Sequence, residues 1–373
     1  MPLERRPSSC WRIVHSECSL GWGGQEHRVL AELAGFQRRG CPVWLLAPPT
    51  AQLNLRASAA GMAVVPLSVV KCQYPFTAVR LACWLRSIRA QIVNTHSSRD
   101  GWVVGLAARL ARVPLLIRSR HIDVDYPNRW ISRHAFTTFA DHVLTTSDKI
   151  TGHLRAAFAL QPEGVSTVAT GIDVQRFSPD GPRMELPELS HRPRLPVIGM
   201  VSVLRSWKGH STFLAAAKLL LDAGLRARFV IVGDGPQRNN LQAQIAALGL
   251  GGAVVLTGHR EDVPEVLRAL SALVIASTKH EGVPQIGLQA LACKTPVVGS
   301  DAGGTPEIIR HGETGRNFPA GDPKALAAAI SDTLSAREET AAMSERGRAT
   351  VEQHHSLDTM LDRLEVIYRR HLC

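Results

Sequence analysis

The sequence predicts an α/β protein built from two doubly wound parallel domains. Short apolar strands alternate with amphipathic helices along the chain, which is typical of parallel sheets covered by helices on both faces. A length of 373 residues with 45% hydrophobic residues is enough for two cores. Residues 178–196 hold five prolines among charged residues without apolar periodicity, which indicates a linker. The predicted domains are therefore 1–177 and 197–355, followed by a C-terminal helix in 356–373.

Apolar runs bounded by turn residues predict seven strands in the first half, at 11–17, 42–47, 63–66, 92–95, 115–118, 141–145 and 165–169. Helical periodicity there predicts helices at 26–39, 75–89, 100–111 and 147–159. In the second half, strands are predicted at 197–203, 229–232, 254–257 and 272–277, and a further strand begins at Thr295. Helices are predicted there at 211–223, 237–248, 264–270, 285–293, 324–334, 338–353 and 357–372.

Positive charge is concentrated in the first half of the chain. Residues 1–175 hold 20 Lys and Arg against 11 Asp and Glu, a net of +9, whereas residues 176–373 hold 23 against 21, a net of +2. Such a surplus favours an anionic partner, which could be nucleic acid, a membrane surface or a phosphorylated substrate. An arginine-rich composition without any such partner gives the same pattern.

Cysteine usage and hydropathy bear on the compartment. The seven cysteines are scattered and contain no Cys-x-x-Cys pair, which indicates reduced thiols in a cytoplasm. The first ten residues lack the apolar core of a signal peptide, and no uncharged apolar run is long enough to span a bilayer. We therefore expect a cytoplasmic protein that is either soluble or peripheral at the inner face of the cytoplasmic membrane.

The most informative stretch runs from Lys279 to Gly299. A predicted strand leads into a loop with Glu281 and Gly282, and Pro284 then precedes a short apolar helix. Open α/β sheets bind ligands beyond the carboxyl ends of their strands, where helix N-termini offer free N–H groups. A carboxylate would repel phosphate but suits hydroxyl groups, so this loop favours a sugar. The alternative interpretation is a loop glutamate with no ligand.

Glu281 and Gln289 are separated by seven residues. This stretch resembles the Glu-x7-Glu signature of family 4 glycosyltransferases, with Gln289 in the second Glu position. The resemblance implies that Glu281 binds the donor sugar and that position 289 binds the nucleotide ribose, where glutamine can both donate and accept hydrogen bonds. The donor-binding segment is therefore predicted to include Gly282, Val283, Pro284, Gln285 and Ile286.

A glycine-rich turn follows the first strand. Gly21-x-Gly23-x-x-Glu26 has glutamate where the dinucleotide fingerprint needs its third glycine, and the strand at 42–47 ends without an acidic residue. Both features disfavour a nicotinamide enzyme. The turn is similar instead to the Gly-Gly-x-Glu turn of family 4, which implies that Gly23 and Gly24 close over the donor diphosphate.

Two histidines, His96 and His121, each come just after a strand end. Histidines on successive strand ends are expected to share one edge of the sheet, although a local hydrogen-bonding role is the simpler alternative. The position of His121 matches the family histidine that contacts the donor sugar near the reacting carbon. The resemblance therefore assigns His121 to the catalytic site.

Arg205 and Lys208 lie between a strand end and a helix start, an arrangement that suits a diphosphate. The family pattern places its arginine five or six residues before the lysine, which is Val203 or Ser202 here, so Arg205 would act from three residues before. The resemblance also implies that the turns with Gly233, Gly258 and Arg260 line the nucleotide.

Asp123-Val124-Asp125 matches the metal-binding Asp-x-Asp of a different glycosyltransferase fold. Here it follows Arg118, Arg120 and His121, whose charges can pair with both carboxylates. We therefore expect no metal and no cofactor.

The resemblance covers nearly the whole chain and implies the GT-B architecture, in which two Rossmann-like domains face each other across a cleft and the last helix returns to the first domain. It implies a retaining, metal-independent glycosyltransferase that moves a sugar from a nucleotide-sugar to an acceptor hydroxyl. In that reaction Glu281 orients the sugar, His121 lies by the reacting carbon, and Lys208 and Arg205 stabilise the leaving diphosphate.

The basic first half predicts a lipid-linked or cell-envelope polysaccharide acceptor, such as a lipopolysaccharide intermediate, at an anionic membrane surface and not nucleic acid. The arginines considered for that surface are Arg5, Arg6, Arg38, Arg39, Arg80, Arg86 and Arg89. Two alternatives remain, a nucleotide-sugar epimerase of the same architecture and a non-catalytic binder of anionic polymers.

Overall fold

The structure, a computed structural model, describes residues 10–123, 129–185 and 195–372. The chain divides into two compact units. Unit 1 extends to Gly171 and also contains the chain from Leu357 onward, and unit 2 comprises Ile172–Ser356.

Each unit is built on one parallel sheet. The strands of unit 1 are β1 (Ile13–Ser16), β2 (Val43–Ala47), β3 (Ala63–Pro66), β4 (Ile92–Thr95), β5 (Leu115–Arg120), β6 (His142–Thr145) and β7 (Val165–Thr167). Those of unit 2 are β8 (Val197–Val201), β9 (Arg228–Val232), β10 (Val254–Gly258), β11 (Ala272–Ile275), β12 (Val297–Ser300) and β13 (Arg316–Phe318).

The α-helices within the described residues alternate with these strands. In unit 1 they are α1 (Gly24–Arg38), α2 (Gln52–Ala59), α3 (Tyr74–Ser87), α4 (Ser98–Ala111), α5 (Arg129–Thr137) and α6 (Asp148–Phe158). In unit 2 they are α7 (His210–Asp222), α8 (Arg238–Ala247), α9 (Val263–Ala269), α10 (Gln285–Ala292), α11 (Thr305–Ile308), α12 (Pro323–Ser335) and α13 (Arg337–His354). Helix α14 (Leu357–Leu372) belongs to unit 1.

Both sheets reverse their direction of growth in the middle. The strand order is β3-β2-β1-β4-β5-β6-β7 in unit 1 and β10-β9-β8-β11-β12-β13 in unit 2, and all neighbours are parallel. The reversal falls between β1 and β4 in the first sheet and between β8 and β11 in the second. The predicted fold of two doubly wound parallel α/β domains is confirmed, and these two reversals mark where such sheets bind ligands.

Most predicted elements are present, and the differences have local causes. Helix α2, helix α5 and strand β13, which have eight, nine and three residues, were not predicted. Strand β5 was predicted to end at Arg118. It continues through Ser119 and Arg120, which are buried and pair with Leu144 and Thr145 of β6.

Two helices of unit 1 begin two residues before their predicted starts. Helix α4 begins at Ser98 and not at Asp100, because Ser97 is its cap and Asp100 completes a capping box by accepting from the Ser97 N–H at 3.0 Å. Helix α1 begins at Gly24, two residues before the predicted start, because Gly23 is already its cap.

The chain between the two sheets packs on unit 2. Phe177 and Met184 are buried in its core, the Met184 N–H donates to the Glu265 carbonyl at 2.8 Å, and the Arg268 guanidinium donates to the Pro182 carbonyl at 2.7 Å. Residues 172–177, which we assigned to the first domain, and 178–185, which we assigned to the linker, therefore lie in unit 2. Of the rest of the predicted linker, 186–194 lie outside the described residues, and 195–196 directly precede β8.

Helix α14 packs its apolar face on α1. Leu361, Leu364 and Tyr368 are fully buried in the same core as Phe36, and Arg39 at the end of α1 forms ion pairs with α14 carboxylates. Those partners are Asp358, Asp362 and Glu365. Gly35 permits this contact, because a Cβ there would lie 2.4 Å from Leu361 Cδ1.

We predict opposite effects from alanine at two helical glycines of unit 1. Gly35→Ala should reduce the free energy of unfolding by about 1–3 kcal/mol, because the new methyl group overpacks the α1–α14 contact. Gly152→Ala in α6 should raise it by about 0.5–1 kcal/mol, because that position is open and alanine favours the helix. Urea unfolding of both variants checks this, and equal effects would contradict the described α14 packing.

Candidate active site

The loops after β8 and β11 meet at the sheet reversal of unit 2. Lys208 Nζ donates to both carboxylate oxygens of Glu281, at 2.9 Å to Oε1 and 2.8 Å to Oε2. Ser277 Oγ donates to Glu281 Oε2 at 3.0 Å. The structure therefore joins two predicted site residues in one ion pair, although we assigned them separate ligands.

The backbone around this pair is held in an unusual conformation. The Thr278 N–H donates to the Trp207 carbonyl at 2.8 Å, which ties the two loops together. Gly209 has φ +75°, and a Cβ there would lie 1.8 Å from the Ala276 carbonyl oxygen, so only glycine fits. His280 has φ +60°, a backbone conformation that is costly for residues other than glycine. Such strained residues are common at functional sites.

The loop after β12 contacts the backbone of Glu281. The Gly304 N–H donates to the Glu281 carbonyl at 3.1 Å, and a Cβ at Gly303 would lie 2.3 Å from that oxygen. Only 9% of Glu281 is exposed as a result. Sequence reasoning missed this supporting role of the loop after β12.

Arg205 and His210 flank Lys208. The exposed Arg205 places its guanidinium 5.4 Å from the centre of the Trp207 ring, a cation–π contact. Burial, with a smaller contribution from Lys208, lowers the pKa of His210 to about 4, and its Nε2 pairs with Ser202 Oγ at 3.0 Å. Position 202, where the family pattern allows an arginine, is thus occupied by a hydroxyl bonded to a neutral histidine that sequence reasoning missed.

The two predicted nucleotide-side turns are neighbours. The Gly233 N–H donates to the Gly258 carbonyl at 2.8 Å, and both glycines have positive φ. A Cβ at Gly233 would lie 1.9 Å from the Ser202 carbonyl oxygen, which also joins this turn to the β8 loop. Arg260 pairs with Asp262 at 2.8 and 2.5 Å, so its guanidinium is already engaged.

The donor-binding segment leads into α10. Gly282, Val283 and Pro284 are buried, and the half-buried residues are Gln285, Ile286 and Gln289. Pro284 is the N-cap of α10. Gln285 Oε1 is buried without a hydrogen-bond partner among the described residues. That orphan acceptor and the α10 N-terminus can both serve a polar ligand.

In unit 1, the glycine turn is closed by its own glutamate. Glu26 Oε2 accepts from the Gly23 N–H at 2.8 Å, and Glu26 is buried. The glutamate of the Gly-Gly-x-Glu turn therefore has a structural task, which is to shape the backbone at Gly23 and Gly24 where α1 begins.

The predicted His96 and His121 are joined, and a third histidine extends the row. His96 Nδ1 lies 2.9 Å from His121 Nε2, and His96 Nε2 lies 2.9 Å from His15 Nδ1. Burial lowers the pKa of His15 to about 4 and the pKa values of His96 and His121 well below the usual range. We call these three residues the histidine row, and all three rings are neutral at pH 7.

An ion pair lies behind the histidine row. Arg28 Nε donates to Glu32 Oε1 at 2.6 Å, and Glu32 Oε2 lies 3.8 Å from His15 Nδ1. Sequence reasoning missed His15, Arg28 and Glu32. One signal was available, since Arg28 and Glu32 lie on the same helical face as Val29, Leu33 and Phe36 and were bound to be buried.

Two more buried carboxyl groups lie at the β1 end. Asp100 accepts from Ser16 Oγ at 2.6 Å and from the His96 N–H at 3.2 Å, and Glu17 accepts from the Ser19 N–H at 2.7 Å. Burial and the nearby Asp100 raise the pKa of Glu17 to about 7, and burial raises the pKa of Asp100. Neither residue was predicted.

The Asp-x-Asp motif is only partly described. Asp123 pairs with His153 Nδ1 at 2.5 Å, a partner the sequence did not indicate, and Asp125 lies outside the described residues. None of the helices in the described part of the chain has the length and apolar character needed to cross a bilayer.

Comparison with known proteins places this chain among sugar-transferring enzymes. The family model "Glycosyltransferase Family 4" matches residues 22–176, and the model "Glycosyl transferases group 1" matches residues 185–350. The chain is 28% identical over 281 residues to an alpha-D-kanosaminyltransferase of Streptomyces kanamyceticus, which covers 71% of this chain and 72% of that protein.

The name of a second relative states that it acts on a lipid-linked sugar. It is the UDP-Gal:alpha-D-GlcNAc-diphosphoundecaprenol alpha-1,3-galactosyltransferase of Escherichia coli, which is 27% identical over 241 residues, 61% of this chain and 62% of that protein. Among solved structures, the Anabaena protein HepE in complex with UDP-glucose superposes with a TM-score of 0.83 at 20% identity, covering 96% of this chain and 99% of that chain.

Two parallel α/β domains with this structural likeness show the GT-B fold. The chain belongs to the family 4 glycosyltransferases. The predicted family and enzyme class are thereby confirmed, while the assignment of individual site residues stays a prediction.

The raised pKa of Glu17 generates a prediction about pH and stability. The folded protein keeps the Glu17 proton up to about pH 7, whereas a free glutamate loses it near 4.5, so this group's stabilisation is complete below 4.5 and disappears by about 7. Glu17→Gln removes that loss. Relative to the natural protein, the variant should gain roughly 2 kcal/mol of unfolding free energy between pH 5 and pH 8.

Urea unfolding of both proteins at the two pH values measures this gain. The histidines cancel because both proteins contain them. Glu163→Gln, at an exposed carboxylate, is the control and should show no such change. A gain for Glu17→Gln that does not grow with pH would contradict the raised pKa.

Proposed function

We propose that this enzyme transfers a sugar from a nucleotide-sugar to an acceptor hydroxyl with retention of anomeric configuration and without a metal. The observation that carries the proposal is the Lys208–Glu281 pair at the sheet reversal of unit 2. It combines a cation suited to a diphosphate with a carboxylate suited to sugar hydroxyls. The UDP-sugar in the name of the Escherichia coli relative and the UDP-glucose bound to HepE support a nucleotide-sugar donor.

In this proposal Lys208 stabilises the leaving diphosphate, and Glu281 orients the sugar. An ammonium group has three N–H donors, and the two carboxylate oxygens engage two of them. The third can donate to a diphosphate oxygen without breaking the pair. Arg205, whose guanidinium packs on Trp207, adds a second positive charge. His121 lies beside the reacting carbon, and no residue is assigned as a covalent nucleophile.

We predict that Lys208→Ala weakens nucleoside diphosphate binding roughly 10- to 100-fold, because it removes a charged donor worth about 1.5–3 kcal/mol. Glu281→Gln should abolish transfer but leave nucleoside diphosphate binding within a few-fold. Lys218→Ala, which removes a lysine paired with Asp222 on α7, is the matched control. Calorimetric titration measures nucleoside diphosphate affinity for all three variants. Equal losses of affinity for Lys208→Ala and Glu281→Gln would show that the two residues do not serve separate parts of the donor.

The epimerase alternative makes a different product. Transfer adds the mass of the sugar to the acceptor, whereas epimerisation changes no mass. Mass spectrometry after incubation with donor and acceptor therefore separates the two, and a donor epimer without a heavier acceptor would overturn the proposal. A non-catalytic binder of anionic polymers would give neither product, and its binding would fall steeply with salt.

We further propose a lipid-linked or cell-envelope acceptor reached at an anionic membrane surface, for example in lipopolysaccharide synthesis. Helix α3 supports this, because one of its faces is exposed and carries Phe76, which is 75% exposed, Val79, which is 56% exposed, and the exposed Arg80. Apolar side chains beside arginines are typical of surfaces that enter a lipid interface. Arg39, which we counted toward this surface, is neutralised by α14, and Arg5 and Arg6 lie outside the described residues.

We predict flotation with anionic vesicles at low salt and release at high salt, because each basic residue near the surface adds about 1 kcal/mol. The double variant Phe76→Ser, Val79→Ser should lose most of this binding. The matched control is Leu219→Ser, Val366→Ser, which removes two other exposed apolar side chains. Equal binding to neutral and anionic vesicles, or none at low salt, would favour a soluble acceptor.

A further inference from the structure

The histidine row and the ion pair behind it contain groups that the proposed reaction does not use. His15, Glu32 and Arg28 are each at most 1% exposed, so none of them can touch a substrate directly. They nevertheless connect through His96 to His121. The inference below rests on the proposed function, because it concerns the atom that His121 presents to the donor sugar.

The hydrogens in the row can be counted. A neutral imidazole has one N–H donor and one acceptor nitrogen, and two hydrogen bonds join the three rings. All donors must therefore point the same way. If they point toward His121, each ring carries its hydrogen on Nδ1, and if they point toward His15, each ring carries it on Nε2.

The surroundings of His15 distinguish these two arrangements. His15 Nε2 is buried and has no hydrogen-bond partner among the described residues. A hydrogen on Nε2 would be an orphaned buried N–H, which is rarer in proteins than an under-satisfied acceptor. Only the arrangement with hydrogens on Nδ1 avoids it.

Glu32 favours the same arrangement by its charge. Its Oε2 lies 3.8 Å from His15 Nδ1 and is itself without a hydrogen-bond partner among the described residues. The carboxylate attracts a hydrogen on Nδ1 and repels a lone pair there. Arg28 fixes Glu32, since it donates to Oε1 at 2.6 Å and to the Val168 carbonyl at 2.5 Å.

We propose that Glu32, acting through His15 and His96, is a positioning residue that fixes His121 in the tautomer with its hydrogen on Nδ1. His121 Nδ1 makes no hydrogen bond within the described part of the chain, so this N–H is available. His121 then donates to an oxygen of the donor sugar and does not accept from it. The buried row sets the direction of this contact.

A metal ion is the competing explanation for the same atoms. One ligand atom each from His15, Glu32 and His96 lies within 4.8 Å of the others. However, His15 Nδ1 and His96 Nε2 face each other at hydrogen-bond distance, and the Arg28 guanidinium already pairs with Glu32. A metal ion would have to break the contact between the two rings and overcome the repulsion of the arginine charge.

The test is the tautomeric state of the row in the whole protein labelled with 15N-histidine. Long-range 1H–15N correlation spectra at pH 7 distinguish protonated from unprotonated ring nitrogens, and the spectrum of His121→Asn identifies the His121 signals by their loss. We expect a protonated Nδ1 and an unprotonated Nε2 on His121. A protonated Nε2 on His121 overturns the proposal. This reading is made on the natural protein, so it does not depend on whether a variant folds.

Glu32→Gln tests the role of the carboxylate. A glutamine amide can donate to His15 Nδ1, which permits the opposite arrangement, so the His121 Nδ1 resonance should shift toward the unprotonated range. Glu365→Gln, which removes a carboxylate paired with Arg39 in the same unit, should leave the His121 tautomer unchanged. An unchanged tautomer in folded Glu32→Gln overturns the role of Glu32.

One further reading and one condition complete the experiment. Equimolar Zn²⁺ should not change the His15 and His96 signals, and their selective loss would favour a metal site over the tautomer proposal. The spectra are recorded without donor or acceptor. The tautomer result therefore stands or fails independently of the transfer assay that tests the proposed function.

Discussion

The Lys208–Glu281 pair is the interaction on which the arrangement of unit 2 depends. It joins the loops after β8 and β11, which are neighbouring strands with the sheet reversal between them. A Cβ at Gly209 would collide with the Ala276 carbonyl oxygen, and a Cβ at Gly303 would collide with the Glu281 carbonyl oxygen. These tight turns allow two opposite charges to lie at one strand edge with little access to water. Partial burial strengthens the attraction, since the effective dielectric falls as water is excluded.

Unit 1 uses the same edge of its sheet for different chemistry. It has neutral imidazoles there, whose pKa values burial keeps low, and two carboxyl groups whose pKa values burial raises. Burial disfavours the charged form of both kinds of group. Unit 1 also holds an ion pair, Arg28–Glu32, but this pair lies buried behind the histidine row, whereas the Lys208–Glu281 pair of unit 2 lies at the strand edge itself.

The sequence predicted the fold well because strand and helix periods are local properties. It also predicted that His96 and His121 lie together, since parallel strands end at the same edge. It did not reveal the supporting residues. His15 is the one ring within a short apolar strand and gave no signal, whereas Glu32 and Arg28 share the apolar face of α1, a sign of burial that we missed. The pairing of Lys208 with Glu281 spans 73 positions and depends on strand order, which periodicity does not encode.

Helix α14 has a consequence for the order in which the protein matures. The core of unit 1 includes Leu361, Leu364 and Tyr368, yet all of unit 2 is synthesised between that helix and the rest of unit 1. On the ribosome, the sheet of unit 1 emerges first but lacks one wall of its hydrophobic interior. Unit 2 has its full set of core residues earlier, although it begins later. The apolar face of α1 that α14 covers therefore stays without this partner through the synthesis of almost half the protein.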